Sequence, residues 1–167
     1  MPILGIDPGI AITGYGLIDL DPAGNPIPVK YGVIDSTAVK GTPSRLVYLY
    51  DAMMLLLAEY NPSSCGLEKL YFSKNVSTAM AVSEGRGVVR LCLAQFGIPV
   101  VEYSPNEVKQ AVTSSGRADK SQVQLMIKAL LQLESIPHPD DAADALAIAL
   151  CHQASMGLNA AIAQALS

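Results

Sequence analysis

The sequence predicts an α/β domain built on a mixed sheet of five strands. Short apolar runs bounded by Gly, Pro, Asn and Asp alternate with longer segments of helical periodicity. The order read along the chain, β-β-β-α-β-α-β-α-α-α, sets strands against covering helices. Half of the 167 residues are apolar and only 16% are charged, a composition that buries a core.

Residues 3–6 form the first strand, which ends in the turn Asp7-Pro8-Gly9. Residues 12–18 form the second, with Gly14 and Gly16 where backbone or ligand comes close. The cluster at 21–26 turns the chain into a third strand over 29–34, completing an antiparallel meander. A helix then opens with Thr42 as N-cap and Pro43 at its first position, and Asn61-Pro62 stops it. Its apolar stripe runs through Leu46, Leu49, Tyr50, Met53, Met54 and Leu57.

A fourth strand covers 64–70, and a second helix covers 77–95. Gly85 and Gly87 interrupt that helix at a cost of roughly 1 kcal/mol each. They fit close packing on another helix, with a dimer partner as one candidate, or equally a loosely packed helix within one monomer. A fifth strand at 98–101 leads to a short helix begun by Ser104-Pro105-Asn106-Glu107 and a polar loop at 113–119. A helix from Lys120 to about Leu133 and a last one over 140–154 complete the order. The expected layout is one domain at 1–155 followed by a weakly ordered, Ala-rich tail at 156–167.

Cys65, Cys92 and Cys151 show no metal or disulfide spacing and read as buried thiols in a reducing cytoplasm. The N-terminus enters a strand without a signal-like stretch, and no apolar run reaches membrane-span length, so no membrane association is expected. The net charge is −4, but residues 69–128 hold eight of the eleven Lys/Arg and four of the fifteen acids. That segment is therefore +4 and the remainder −8, a polarity that fits a basic face beside an acidic site.

Asp7, Glu68, Asp141 and Asp144 each stand where an apolar element begins or ends. Asp141 and Asp144 are three apart, on one face of a helix. Buried carboxylates need compensation, and hard divalent cations supply it through oxygen ligands. Four such groups in one domain suit two ions and phosphoryl-transfer chemistry. Singly, each acid has an ordinary use: Asp7 can cap its turn, Glu68 can lie on an edge strand, and Asp140 or Asp141 can cap the last helix. His138 reads as a loop residue between prolines, and His152 as a helical residue facing away from Asp144.

Taken together, the segments LGIDPG and TGYGLI within 4–18, GLEKLYFSKN at 66–75, GRGV at 85–88, VKQAVTSSGRADKSQVQ at 108–124 and DDAADALAIAL at 140–150 resemble the RuvC family of crossover junction endodeoxyribonucleases. That family belongs to the ribonuclease H-like superfamily, and the segments follow its order over most of the chain. The resemblance implies a ribonuclease H-like fold and a homodimeric nuclease using two Mg²⁺ or Mn²⁺ ions per site. It would resolve four-way (Holliday) junctions by paired symmetric nicks in recombination and repair, alongside a branch-migration motor of RuvA and RuvB.

The family's four acids fall on Asp7, Glu68, Asp141 and Asp144, and the motif DAADALA selects Asp141 over Asp140. Tyr71 falls where an aromatic stacks on a junction base. Lys109 and Lys120 match positions that hold the DNA backbone, with Lys74, Arg86 and Arg117 as further phosphate contacts. Two other readings share parts of the pattern. IDPG before a Gly-rich strand resembles the phosphate hairpin of sugar kinases and actin-like ATPases, whose two-domain plan needs more than 167 residues. A ribonuclease H-like enzyme acting on RNA or single strands would use the same acids.

Overall fold

The computed structural model describes residues 1–69 and 76–165. Strands β1 (Ile3–Asp7), β2 (Ile12–Leu20) and β3 (Pro26–Asp35) form the meander. Helix α1 (Thr42–Tyr60) leads to β4 (Ser64–Glu68), and α2 (Val76–Gln95) leads to β5 (Val100–Tyr103). Then follow α3 (Pro105–Thr113), α4 (Lys120–Leu130) and α5 (Asp140–Ala165). The strand order is β3-β2-β1-β4-β5, antiparallel across the meander and parallel where β4 joins β1 and β5 joins β4. The mixed α/β sheet of five strands is the one the sequence predicts.

Alternation along β1 divides the core between two faces. Leu4 and Ile6 pack with Leu17, Cys65, Leu67 and residues of α1 and α2. Ile3 packs on the other face with Ile18, Tyr103 and residues of α3, α4 and α5. Helix α5 is apolar all round where it crosses the sheet, with Ala142, Ala143, Leu146 and Ile148 buried. Burying side chains such as Leu146 and Ile148 contributes about 1.5–3 kcal/mol each.

Several element ends differ from expectation. The N-cap of α1 is Gly41 at φ 82°, without a side-chain cap, and Thr42 is already helical. A residue at that φ favours glycine, so the helix start shifts back by one. β3 extends to Pro26, whose missing N–H an edge strand tolerates. β5 begins at Val100, two residues later than expected, because Gly97 takes φ 67° in the turn from α2. Helix α4 stops at Leu130 before a turn in which Gln132 has φ 51°. Helix α5 runs on to Ala165, well past the expected end at 154.

Candidate active site

The parallel β1–β4 ladder pairs Gly5 with Gly66 and Ile6 with Leu67. Asp7 and Glu68 are the next residues of the two strands, so both carboxylates emerge side by side at the carboxyl end of adjacent strands. By the same alternation both face α5, like Gly5 and Gly66 before them.

Glycines bring that helix down onto the sheet. Gly16, Gly5 and Gly66 form a row across β2, β1 and β4. A Cβ on Gly5 would lie 2.2 Å from the Ala145 carbonyl oxygen, one on Gly16 2.8 Å from the Leu146 nitrogen, and one on Gly66 2.9 Å from the His152 Cβ. The next cross-strand pair is Asp7 with Gly14. A Cβ on Gly14 would lie 2.0 Å from the Asp141 carbonyl oxygen and 3.2 Å from the Asp141 Cβ. The first turn of α5 therefore rests beside Asp7, and Asp144 follows one turn on.

The turn after Asp7 is fixed from several sides. The Thr13 hydroxyl donates to the Gly9 carbonyl at 2.6 Å and accepts from the Gly9 N–H at 3.3 Å. The Ser36 hydroxyl donates to the Ile10 carbonyl at 2.7 Å. Thr13 and Ser36 are both 1% exposed. Neither stood out in the sequence, where a hydroxyl carries no mark of its burial.

Burial, then the charges of Glu68, Asp144 and Asp141, push the Asp7 carboxyl up to about 8. Burial and Asp144 also raise Glu68, while a hydrogen bond with Asp7 and the charge of Arg86 act in the opposite direction. Asp144 is raised mainly by burial, with Lys120 partly offsetting it. The Lys120 ammonium lies 3.1 Å from Asp140 and 3.3 Å from Asp144. Burial lowers Lys120, but those two partners outweigh it and the net shift is upward.

Glu68 and Asp144 line a cleft of about 220 Å³ together with Lys109 of α3 and Lys120 of α4. Capping boxes fix both basic helices: Ser104 with Glu107 opens α3, and Asp119 with Gln122 opens α4. Arg117 is exposed and lines a separate groove with Thr113, Ser115 and Gln122.

Arg86 is placed differently from the expectation that it reaches out to phosphate. It is buried, one nitrogen donates to the Glu68 main-chain carbonyl, and another lies 2.7 Å from Glu102. The guanidinium is thus held against the protein, although the Glu102 side chain is itself 32% exposed and also pairs with Arg90. Gly85 packs on the turn at Gly9 and Ile10 and not on another helix, while a Cβ on Gly87 would meet open space among the described residues. Tyr71 and Lys74 lie outside the described residues. His138 is exposed in its loop, and His152 is buried with Nδ1 2.8 Å from the Tyr103 hydroxyl.

Asp7, Glu68, Asp141 and Asp144 offer only carboxylate oxygens, the kind of donor that hard divalent cations prefer. Their accumulated, poorly compensated charge, expressed in the raised Asp7, fits such a cation. Among the described residues no three Asp, Glu, His or Cys side chains stand close enough together to enclose an ion, and Asp144 is held by Lys120 instead.

The family described as crossover junction endodeoxyribonuclease RuvC matches residues 3–152. A protein of that description from Desulfitobacterium hafniense is 51% identical over 159 residues, 95% of each chain. One from Brevibacillus brevis is 50% identical over 153 residues, 91% of each. Among solved structures, Thermus thermophilus RuvC in complex with a Holliday junction substrate superimposes with a TM-score of 0.87 at 32% identity, covering 94% of this chain and 96% of that one.

Proposed function

The chain belongs to the RuvC family of crossover junction endodeoxyribonucleases and has its ribonuclease H-like fold, and from that premise we propose that it resolves four-way DNA junctions by hydrolysing phosphodiester bonds in recombination and repair. The observation that supports this reading is the placement of Asp7 and Glu68 at the ends of adjacent parallel strands, with Asp141 seated against Gly14 beside them.

Asp7, Glu68, Asp141 and Asp144 would hold two Mg²⁺ or Mn²⁺ ions, which supply an activated water and charge stabilisation at phosphorus when bound. The remaining work falls to the chain itself. Glu68 and Asp144 both line the cleft. Lys109 and Lys120 line the same cleft and attract the phosphate backbone next to the acids. Lys120 also partly offsets the charge of Asp140 and Asp144 until a stronger cation competes for them. Tyr71 would stack on a junction base, and Lys74 and Arg117 would add phosphate contacts beyond the cleft. The products would carry 5′-phosphate and 3′-hydroxyl ends.

Two symmetric nicks require two sites related by a two-fold axis, so the working unit is a homodimer. Exposed Met80 and Leu91 on α2 support that helix as the interface. Branch migration by RuvA and RuvB would deliver the junction. Three free, buried cysteines accord with action in the cytoplasm, and no helix among the described residues is long and apolar enough to cross a membrane.

Substrate choice is tested by offering a four-way DNA junction, a linear duplex of the same sequence and an RNA–DNA hybrid in Mg²⁺. Paired nicks confined to the junction are expected. Preferential cutting of the hybrid would assign the site to RNA.

A further inference from the structure

Arg86 is a buried cation, 8% exposed, on the α2 side of the sheet, away from the cleft that Glu68 and Asp144 line. A buried ion pair is weak evidence for a stabilising role, because desolvation opposes the attraction. Its partners point to another use. One guanidinium nitrogen donates to the main-chain carbonyl of Glu68, and another lies 2.7 Å from Glu102, which also pairs with Arg90. Glu102 stands opposite Leu67 in the β4–β5 ladder, so its side chain shares the α2 face of the sheet. The Glu68 carboxyl points the other way, into the cleft beside α5. Arg86 therefore grips the Glu68 backbone from behind while the carboxylate works in front.

The preceding residue reaches the other strand end. A Cβ on Gly85 would lie 2.9 Å from the Gly9 carbonyl oxygen and 3.3 Å from the Ile10 Cα. Only glycine lets α2 touch the turn that follows Asp7 at this distance. One step of α2 thus contacts both acid-bearing strand ends.

We propose that Arg86, seated by Gly85, is a positioning residue that fixes Glu68 relative to Asp7 and so sets the metal affinity of the site. The proposal rests on the metal-dependent nuclease reading and adds a residue that touches neither metal nor DNA. Loss of a partner that orients a metal ligand lowers metal affinity or activity about 10–100-fold.

The test uses the full chain with Arg86→Gln, Arg86→Lys, Glu102→Ala and Gly85→Ala. Three quantities are read: the Mn²⁺ concentration at the midpoint of the thermal shift without DNA, junction affinity in EDTA, and the cutting rate. Arg86→Gln is expected to raise the Mn²⁺ midpoint and slow cutting about 10–100-fold while junction affinity stays at the wild-type value. Arg86→Lys should recover part of both losses, since an ammonium can reach one of the two partners.

An unchanged Mn²⁺ midpoint in Arg86→Gln would overturn the proposal. So would weakened junction binding at an unchanged midpoint, which would make Arg86 a phosphate contact. If Arg86→Gln does not fold, Glu102→Ala and Gly85→Ala decide the matter by the same shift in midpoint. Wild-type protein that takes up Mn²⁺ but cuts no junction would remove the nuclease reading, and the midpoint would still decide the role of Arg86.

Discussion

Gly14 and Asp141 meet where a side chain on Gly14 would drive a Cβ to 2.0 Å from the Asp141 carbonyl oxygen. Because Gly14 pairs with Asp7 across the ladder, this contact sets how near the first turn of α5 comes to the strand-end acids. Gly14→Ala must push α5 outward. Overpacking of this kind costs about 1–3 kcal/mol. The expected result is lower stability in urea unfolding and a loss of cutting that persists at temperatures where the variant remains folded.

Asp7 should make the metal-free protein less stable as pH rises. Its folded value is about 8 against 3.8 for the free carboxyl, so between those values the folded state keeps a proton that the unfolded state releases. Stability from this group is therefore highest below pH 4, falls through the interval and levels off above about 8. Asp7→Asn removes the effect. In EDTA its stability should exceed that of wild type by a margin that grows from pH 5 to pH 8, and Mn²⁺ should stabilise wild type more than the variant. Urea titrations at the two pH values check both.

His152 carries the opposite dependence. Burial lowers its value below 6.5, so the unfolded state takes up a proton first and stability falls as pH drops below 6.5. Its Nδ1 bonds the Tyr103 hydroxyl, while its buried Nε2 has no partner among the described residues. Tyr103→Phe leaves both ring nitrogens unpartnered, at a cost of about 1–3 kcal/mol. The loss should appear at neutral pH in thermal unfolding, with little change in junction affinity.

Lys120→Ala separates chemistry from folding. The Lys120 side chain is 53% exposed and its partners are 55% and 39% exposed, so removing the pair should change stability by less than about 1 kcal/mol. Cutting should nevertheless fall at least tenfold, because Lys120 shares the cleft with Glu68 and Asp144. A variant that cuts at the wild-type rate would exclude Lys120 from the site.

Much of this was legible in the sequence. The element order and the antiparallel meander follow from short apolar runs and turn clusters, whereas the place of β4 beside β1 comes from the structure. Gly14 and Gly16 were readable as points of close approach, but what approached, the backbone of α5, depends on a contact more than a hundred residues away. The contacts of Arg86 were hidden for a related reason. The resemblance offered it as a phosphate contact, and its bonds to the Glu68 carbonyl and Glu102 join residues far apart in the chain. The clamp of Thr13 and Ser36 on the Asp7 turn was illegible, since a buried hydroxyl and a surface one look alike in one dimension.

The most direct test is cleavage of a synthetic mobile four-way junction by wild type and Asp7→Asn in Mg²⁺, Mn²⁺ or EDTA. The expected outcome is paired, symmetric, ligatable nicks that require both the divalent ion and Asp7, with junction binding retained by the variant. Cutting that survives in EDTA or in Asp7→Asn, or tight binding by wild type without a cut in either metal, would contradict the assignment.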